Sequence, residues 1–285
     1  MKRPAPLPDR DGVGPARVRL RGGAVLVELA DRFGTAAAEK VLSGEVVDAD
    51  GMVVTPSTVL PPGAFVFLYR ELPDEVVVPF DIPVIYRDDD IVVVDKPHFL
   101  ATMPRGGHVA QTALVRLRRS LSLPELSPAH RLDRLTAGVL LFTVRREVRG
   151  AYQTLFAQGL VSKTYFARSS GVPSVEFPLV LRSRITKQRG VLQAFEEPGE
   201  PNAETLVEAL GEGWYRLTPR TGRTHQLWVH MASLGLPIDN DPLYPRVLSV
   251  APDDFSAPLQ LVAHRMEFED PFTGQVTSFV SSAQL

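Results

Sequence analysis

Hydrophobic positions in the first quarter of the chain predict a small α+β unit. Residues 35–42 have the spacing of a short helix, and Gly44 behind them suits the left-handed conformation in which many helices end. Two β-branched runs then flank Asp50-Gly51, a dipeptide that favours tight hairpin turns. After a Pro-Gly turn, the apolar segment AFVFLYR predicts the closing strand of this unit.

The elements predicted further along are longer. Residues 84–97, VIYRDDDIVVVDKP, predict two strands around an acidic turn, and the second has too many consecutive valines to be exposed on either face. Residues 111–121 predict a helix with Leu114, Leu117 and Leu121 on one stripe. Helical and strand-like segments then follow in no regular βαβ order, which favours a mixed α+β sheet over a doubly wound one.

The pattern divides the chain into three segments. Residues 1–16 are rich in proline, glycine and charge and predict a flexible leader. Residues 17–75 contain the small α+β unit, and residues 76–285 form the larger domain. A length of 285 residues fits this division, because it exceeds the usual size of one domain.

Composition narrows the class of protein. A hydrophobic content of 44% indicates a globular chain, and the lack of cysteine excludes disulfides, thiolate nucleophiles and cysteine-bound zinc. The first residues contain no apolar segment of a signal peptide, and no later apolar run reaches the length of a membrane span. We therefore expect a soluble, cytoplasmic protein with no membrane partner. We also expect a monomer, although no pattern in the sequence bears on the oligomeric state.

The net charge of −2, with 31 basic and 33 acidic side chains, argues against a dedicated nucleic-acid coat. Local basic clusters are nevertheless sufficient to contact phosphates, although each is also compatible with an ordinary solvated surface. These clusters are Arg116, Arg118 and Arg119; Arg145, Arg146 and Arg149; and Arg182, Arg184, Lys187 and Arg189.

Asp133 is the first candidate for chemistry. It lies between Arg131 and Arg134, just ahead of a glycine and an apolar strand-like run. Neighbouring positive charge favours the ionised carboxylate, which is then available as a nucleophile or base. The alternative is a solvated surface ion pair, because charged residues are mostly exposed.

A second polar segment, TGRTHQ, precedes an apolar stretch far downstream. Its polar groups require partners, and Arg223 is the natural partner for a distant carboxylate. The five-residue spacing of His225 and His230 fits no common metal motif, so we expect both to act in hydrogen bonding. The chain also lacks the signatures of serine hydrolases, P-loop enzymes and dinucleotide-binding domains.

Three motifs follow one another in the larger domain: HRLDRLTAG at 130–138, KTYFA at 163–167 and GRTHQLWVHMASLGLPIDND at 222–241. Together they resemble the RluA-type pseudouridine synthase family. The resemblance extends from about residue 82 to residue 280 and includes VVVDKP and FEDPFTG. It implies an α+β pseudouridine synthase catalytic fold, with a mixed, largely antiparallel sheet flanked by helices.

The resemblance implies isomerisation of specific uridines in ribosomal or transfer RNA to pseudouridine, without a metal or organic cofactor. The family aspartate falls on Asp133, which either attacks C1′ of the ribose or removes a proton so that a glycal forms. The N1–C1′ bond breaks, the freed uracil turns, C5 bonds to C1′, and the C5 proton leaves. An ionised carboxylate beside an oxocarbenium-like centre suits this chemistry, as in glycosidases.

Four more residues take roles from the family motifs. Tyr165 matches the tyrosine that stacks beside the target base and accepts the C5 proton, and Arg223 matches the arginine that pairs with the catalytic aspartate and orients it. Arg131 matches the residue that enters the RNA stack when the uridine flips out, a step that brings the glycosidic bond into a pocket. Leu227 matches an apolar residue of the base pocket. The alternatives for Tyr165 and Leu227 are plain core residues.

Three positions depart from the family pattern. Ala137 replaces the usual serine and removes one hydrogen bond. Trp228 replaces an arginine, which removes a phosphate contact or an ion pair and adds a stacking surface. Asn240 replaces a glycine, and asparagine tolerates left-handed backbone angles, so we expect the turn to survive.

The N-terminal unit resembles the S4-like RNA-binding module of many relatives, although its helix at 35–42 has a single lysine. Two alternatives to an RNA isomerase remain open. One is a non-catalytic RNA-binding or ribosome-assembly protein on the same fold. The other is a retaining glycosidase-like hydrolase with Asp133 as nucleophile, for which the motifs contain no evident second carboxylate.

Overall fold

The computed structural model describes residues 5–72 and 74–283 of the chain. These form two compact units, of which the first ends at Asp74 and the second begins at Glu75. The carboxylate of Glu75 accepts hydrogen bonds from three successive backbone amides, at residues 109–111, so this residue is tied to the second unit.

Two helices and five short strands build the first unit. The helices are α1 (Val25–Phe33) and α2 (Thr35–Leu42). The strands are β1 (Ala16–Arg19), β2 (Gly23–Ala24), β3 (Val47–Asp48), β4 (Val59–Leu60) and β5 (Phe65–Leu68). A three-stranded antiparallel sheet in the order β1-β5-β3 packs with the helices around a small core that includes the buried side chains of Val25, Leu29, Val41 and Val66.

The local predictions for this unit are confirmed. Helix α2 has the predicted bounds, and Gly44 behind it has a left-handed φ of 74°. The Asp48 amide donates to the Met52 carbonyl across the predicted tight turn, in which Gly51 has a φ of 84°. Helix α1 was not predicted, because its two β-branched valines and the preceding Gly-Gly pair weaken its helical signal.

The predicted leader is described from residue 5 onward, and its first four residues lie outside the described part. Two leader residues contact Tyr69. The carbonyl of Pro8 accepts a hydrogen bond from Tyr69 Oη at 2.6 Å, and the guanidinium of Arg10 lies 3.7 Å from the Tyr69 ring centroid. These contacts join residues 8–10 to the end of the first unit. The flexibility of the leader as a whole stays a prediction.

An eleven-stranded mixed sheet forms the second unit. Its strands are β6 (Val84–Arg87), β7 (Ile91–Lys96), β8 (Ser127–Pro128), β9 (Ala137–Thr143), β10 (Ser162–Arg168), β11 (Leu179–Thr186), β12 (Phe195–Glu197), β13 (Ala203–Gly211), β14 (Trp214–Pro219), β15 (Leu261–Glu269) and β16 (Val276–Val280). Its helices are α3 (Ala113–Leu121), α4 (Arg146–Ala157) and α5 (Gln226–Ser233).

The sheet follows the order β12-β11-β13-β14-β10-β15-β9-β7-β6, with β16 paired to β15 and β8 to β9. Among the described pairings only β9 and β15 run parallel, and the others are antiparallel. Every residue of β7 and β9 is buried, as the valine-rich pattern predicts. The predicted α+β fold with a mixed, largely antiparallel sheet is therefore confirmed.

Gly138 is required where β9 runs beside β15. Its φ is 111°, and a Cβ at this position would lie 2.2 Å from the carbonyl oxygen of Ala263. We expect Gly138→Ala to destabilise the protein by about 3 kcal/mol or more, because backbone strain and overpacking both contribute. The shift of the urea unfolding transition measures the change.

Gly150 provides the matched control, because it lies in helix α4 and nothing lies within 4 Å of an added Cβ. We expect Gly150→Ala to raise stability by up to about 1 kcal/mol, since alanine favours a helix over glycine. Equal stability of the two variants would contradict the close approach of β9 to β15.

No helix in the described ranges has both the length and the apolar character needed to cross a membrane.

Candidate active site

A cavity of about 920 Å³ opens in the second unit. Its walls come from the loop between β8 and β9, from strand β10, and from the segment that joins β14 to helix α5. All five residues predicted from the sequence line this cavity, namely Arg131, Asp133, Tyr165, Arg223 and Leu227. The fold therefore brings together three motifs that are far apart along the chain.

The cavity wall is strongly asymmetric in charge. Among the described lining residues, Asp133 is the only carboxylate, and the basic side chains are Arg131, Lys163, Arg220 and Arg223. Such a surface attracts a polyanion, because clustered cations raise the local concentration of negative ligands. A retaining glycosidase needs a second carboxylate about 5–5.5 Å from the first, and this wall provides none.

The side chain of Asp133 is half-buried and faces the cavity. Within the described part of the chain it makes no ion pair or hydrogen bond, although its carbonyl accepts from the Thr136 amide at 3.1 Å. Neither neighbouring arginine pairs with it: Arg131 is exposed, and Arg134 donates weakly to the Phe99 carbonyl at 3.5 Å. The surface ion pair considered from the sequence is absent from this structure, and the carboxylate faces the cavity.

The loop that carries Asp133 is fixed by side chains from the segment after β7. Thr102 Oγ1 donates to the Leu132 carbonyl at 2.7 Å and accepts from the Leu132 amide at 3.1 Å. His98 Nδ1 donates to the Leu135 carbonyl at 2.7 Å. The backbone is therefore bonded on both sides of Asp133, which limits its motion without using the carboxylate.

Lys96 provides a third attachment at the end of β7. It is fully buried, and its ammonium donates to the carbonyls of Pro97 at 2.9 Å, Leu100 at 2.8 Å and Arg134 at 3.4 Å. Burial lowers the pKa of Lys96 to about 7, while the negative charge of Asp133 acts in the opposite direction. Sequence reasoning gave Lys96 no role of its own; the available signal was a lysine that ends a run of buried valines.

His130 anchors the other side of the same loop and was also given no role from the sequence. Its Nε2 accepts from the Leu141 amide at 3.2 Å, and its ring stacks on Phe156 with centroids 4.3 Å apart. Burial, helped by the charge of Lys163, lowers the pKa of His130 to about 3. The neutral ring therefore acts as an acceptor that joins the Asp133 loop to strand β9.

Tyr165 lies on β10 with its ring half-buried in the cavity wall. Burial raises the pKa of its phenol above the usual 10, and the charge of Asp133 raises it further. Its hydroxyl has no hydrogen-bond partner among the residues that the structure describes. The phenol is therefore protonated at neutral pH, which weighs against the predicted role as the base that accepts the C5 proton. That role stays a prediction.

Arg223 is exposed on the opposite wall. Its Nε donates to the Asn202 carbonyl at 3.0 Å, and its amide donates to Gln226 Oε1 at 3.0 Å. No ion pair joins it to Asp133 among the described residues, so the predicted pairing stays a prediction. Leu227, in the first turn of α5, is only 7% exposed and contributes both to the core and to the cavity wall.

The two downstream histidines act in hydrogen bonding, as predicted. His225 precedes α5 with a φ of 57°, and its Nδ1 lies 2.9 Å from Tyr244 Oη. His230 is buried and hydrogen-bonded to Ser183 Oγ at 3.1 Å and Thr205 Oγ1 at 2.9 Å. The described residues contain no group of three acidic, histidine or cysteine side chains placed to hold a metal ion.

The departures from the family pattern have clear structural positions. The Trp228 ring is buried and stacks on His225, with centroids 4.8 Å apart and planes at 14°, so its stacking surface is used within the protein. Asn240 has a φ of 63° and donates to the Pro258 carbonyl at 2.9 Å, which confirms that the turn survives without glycine. Ala137 begins β9 and is buried.

Several arginines of the basic clusters are used within the protein. The clusters contain ion pairs from Arg145 to Asp90 and from Arg182 to Glu204, and Arg116 donates to two backbone carbonyls. In the cavity wall, Arg220 is likewise paired with Glu204 at 3.0 Å, whereas Arg131 and Lys163 form no ion pair among the described residues.

The family model described as RNA pseudouridylate synthase matches residues 90–233. An uncharacterized RNA pseudouridine synthase of Synechocystis is 28% identical over 221 residues, which cover 72% of each chain. The dual-specificity RNA pseudouridine synthase RluA of Salmonella typhi is 32% identical over 205 residues, 69% of this chain and 90% of the relative. A human pseudouridylate synthase is 34% identical over 57% of this chain, but the match covers 31% of that protein.

Among solved structures, human RNA pseudouridylate synthase domain containing 4 has a TM-score of 0.56 at 23% identity, over 71% of this chain and 88% of that one. This likeness shows a shared fold. Together with the family match and the RluA relatives, it shows that the chain belongs to the RNA pseudouridylate synthase family, in its RluA-type branch.

Proposed function

We propose that this protein isomerises specific uridines in ribosomal or transfer RNA to pseudouridine, with Asp133 as the catalytic carboxylate. The observation that carries the proposal is the isolated carboxylate of Asp133 in an otherwise basic cavity. The basic wall suits the phosphates of RNA, and the carboxylate is placed where the scissile N1–C1′ bond has to enter.

Two reaction routes use Asp133, and both require its carboxylate to be ionised. In one, its carboxylate attacks C1′ as N1 departs; in the other, it removes a proton from the ribose so that a glycal forms. Both need an ionised carboxylate that is fixed in space and free of competing partners. The loop bonds from Thr102, His98 and Lys96 supply the fixed position and leave the carboxylate oxygens unused.

Three other residues complete the substrate site in this proposal. Arg131, exposed at the mouth, fills the gap in the RNA stack when the target uridine is flipped out, which offsets an unstacking cost of a few kcal/mol, roughly. Leu227 packs against the base. Arg223 pairs with Asp133 when RNA is bound, since its present bond to the Asn202 carbonyl is single and exposed and therefore easily exchanged.

Tyr165 stacks beside the base with its phenol protonated. We expect Tyr165→Phe to slow isomerisation less than about tenfold, because the ring remains and at most one hydrogen bond, from the hydroxyl to the bound RNA, is lost. A phenolate base would instead make the wild-type rate rise about tenfold per pH unit between pH 7 and 9. Single-turnover tritium release from RNA labelled at uridine C5 measures both. A steep rise with pH that disappears in Tyr165→Phe would restore the base assignment.

The experiment for the proposed function uses ribosomal and transfer RNA transcripts labelled with tritium at uridine C5. We expect the purified protein to release tritium to water and to form pseudouridine, and dialysis against EDTA to leave the rate unchanged. RNA binding without tritium release would favour the non-catalytic RNA-binding alternative. Cleavage of free nucleosides or oligosaccharides would favour the hydrolase.

The remaining assignments belong to the same proposal. We place the protein in the cytoplasm, in keeping with its lack of cysteine. We propose a monomer, because all five proposed site residues come from one chain.

The first unit, with two helices, a tight turn and a closing strand, supports an S4-like module. Its helical basic residues Arg32 and Lys40 form ion pairs with Glu28 and Glu45, so a contribution to RNA binding has to come from elsewhere on its surface.

A further inference from the structure

A second, smaller cleft of about 150 Å³ lies next to the Asp133 loop. It shares Met103, Arg131, Leu132 and Asp133 with the main cavity, so the two spaces adjoin at these residues. The remaining lining residues are Ala101, Thr102, Arg105, His108 and Arg134. Arg105, His108 and Arg134, which line this cleft, have no role in the proposed isomerisation.

Two basic residues of the cleft, Arg105 and His108, lie on one short turn. The Arg105 and His108 backbones bond to each other in both directions, at 2.9 and 3.2 Å, and a Gly-Gly pair closes the turn between them. Both residues of this turn line the cleft. Arg105 is exposed and makes no ion pair within the described ranges.

Arg134 forms the inner wall of the cleft. Its guanidinium is half-buried, and burial lowers its pKa. Its guanidinium donates weakly to the Phe99 carbonyl at 3.5 Å, and it forms no ion pair in the part of the chain that the structure describes. A partly desolvated cation without an anion is costly, and a bound anion removes that cost.

Two carboxylates lie near these cations and have to be considered. Glu75 is occupied by the three backbone amides of residues 109–111. Asp133 lines both spaces and opposes an anion, but three arginines, Arg105, Arg131 and Arg134, surround the same cleft. The balance of charge at the cleft is therefore positive.

We propose that this cleft is a phosphate subsite, in which Arg105 and Arg134 hold a phosphodiester adjacent to the uridine that enters the main cavity. The inference rests on the proposed function, since it is the ribose C1′ at Asp133 that brings the neighbouring phosphodiester to the loop. Guanidinium groups bind phosphate through paired hydrogen bonds, which fix orientation as well as charge. The subsite thus sets the position of the nucleotide backbone while the main cavity receives the base.

The test measures binding of fluorescein-labelled heptauridylate to the full chain by anisotropy between 50 and 200 mM salt, roughly the range over which phosphate contacts dominate. We expect Arg105→Gln to weaken binding about tenfold, as for one lost charged hydrogen bond. The slope of log affinity against log salt is expected to fall by about one. Arg87→Gln is the matched control, because Arg87 is exposed at the far end of the β6–β7 hairpin from Lys96.

A second arm replaces one phosphodiester beside the central uridine with a neutral methylphosphonate. The replacement is expected to weaken binding to the wild type and to Arg87→Gln, and to have little effect on Arg105→Gln, because the contact is already lost. Arg134→Gln should behave like Arg105→Gln. Arg105 is exposed, so the test does not depend on the folding of the Arg134 variant.

An equal methylphosphonate penalty in the wild type and Arg105→Gln, at both linkages that flank the central uridine, overturns the subsite. So does the absence of wild-type binding at the lowest salt. Tritium release by the same wild-type preparation is measured in parallel. Release together with equal penalties removes the subsite and leaves the proposed function standing, whereas missing release from every RNA tested removes the proposed function by itself.

Discussion

Asp133→Asn is expected to lower the rate of uridine isomerisation by on the order of 10⁴-fold or more, since an amide neither attacks C1′ nor accepts a ribose proton. The substitution keeps the shape of the side chain. Because the carboxylate makes no ion pair or hydrogen bond among the described residues, folding loses little. We expect RNA affinity and thermal stability to stay near the wild-type values, as measured by anisotropy and thermal melting.

Asp253→Asn is the control for this change, because Asp253 is exposed and outside the cavity wall. It should leave the single-turnover rate unchanged. If Asp133→Asn retains a tenth or more of the wild-type rate, Asp133 is neither nucleophile nor base. If it unfolds instead, the loop depends on the carboxylate in a way that the bonds from Thr102 and His98 do not reveal.

Lys96→Met is expected to have the second largest effect, on stability first and on rate as a consequence. Methionine fills a similar space but leaves the carbonyls of Pro97, Leu100 and Arg134 without their donor. The Leu100 carbonyl is buried and the other two are partly buried. A buried acceptor left unsatisfied costs about 1–3 kcal/mol, so a combined loss of roughly 3 kcal/mol is expected in urea unfolding. The Asp133 loop also loses one attachment, and we expect the isomerisation rate to fall with it.

The pH dependence of stability provides a second readout for Lys96. Its folded pKa of about 7 lies below the ordinary value of 10.5, so the unfolded chain binds more protons between these values. The contribution of Lys96 to stability therefore rises with pH from about 7 to about 10.5, and the penalty for burying the charged form is complete below 7. The stability of Lys96→Met should not show this rise, so the rise should appear in the difference between the wild-type and Lys96→Met stabilities when both are measured against pH.

Lys187→Met is the comparison for this variant, because Lys187 lies in the exposed turn between β11 and β12. Its stability should match that of the wild type within about 0.5 kcal/mol. A Lys96→Met protein as stable as Lys187→Met would show that the three carbonyls do not depend on the ammonium.

Local patterns in the sequence predicted a large part of the fold. The helix at 35–42, the buried strand at 91–96 and the glycine turns follow from spacing and backbone preference, which operate over a few residues. Helix α4 was not predicted, since its start is rich in arginine and Gly150 interrupts its pattern. The sequence also placed Asp133, Tyr165 and Arg223 in the candidate site, and the structure brings all three to one cavity.

The contacts that hold the Asp133 loop in place could not be predicted from the sequence. Thr102 contacts Leu132, and Lys96 contacts Arg134, across 30 and 38 positions of the chain, so no local pattern records either contact. The raised pKa of Tyr165 has the same origin, because it depends on burial and on the charge of Asp133. The stacking of Trp228 on His225 likewise became visible only with the fold.

The most direct test of the central claim is the mapping of pseudouridine by carbodiimide-dependent reverse-transcription stops in total RNA. The source cells would lack the gene and carry either the wild-type copy or Asp133→Asn. We predict that one or a few stops in ribosomal or transfer RNA disappear without the gene, return with the wild type and stay absent with Asp133→Asn. Stops that persist in cells without the gene, or that return with Asp133→Asn, would contradict the account.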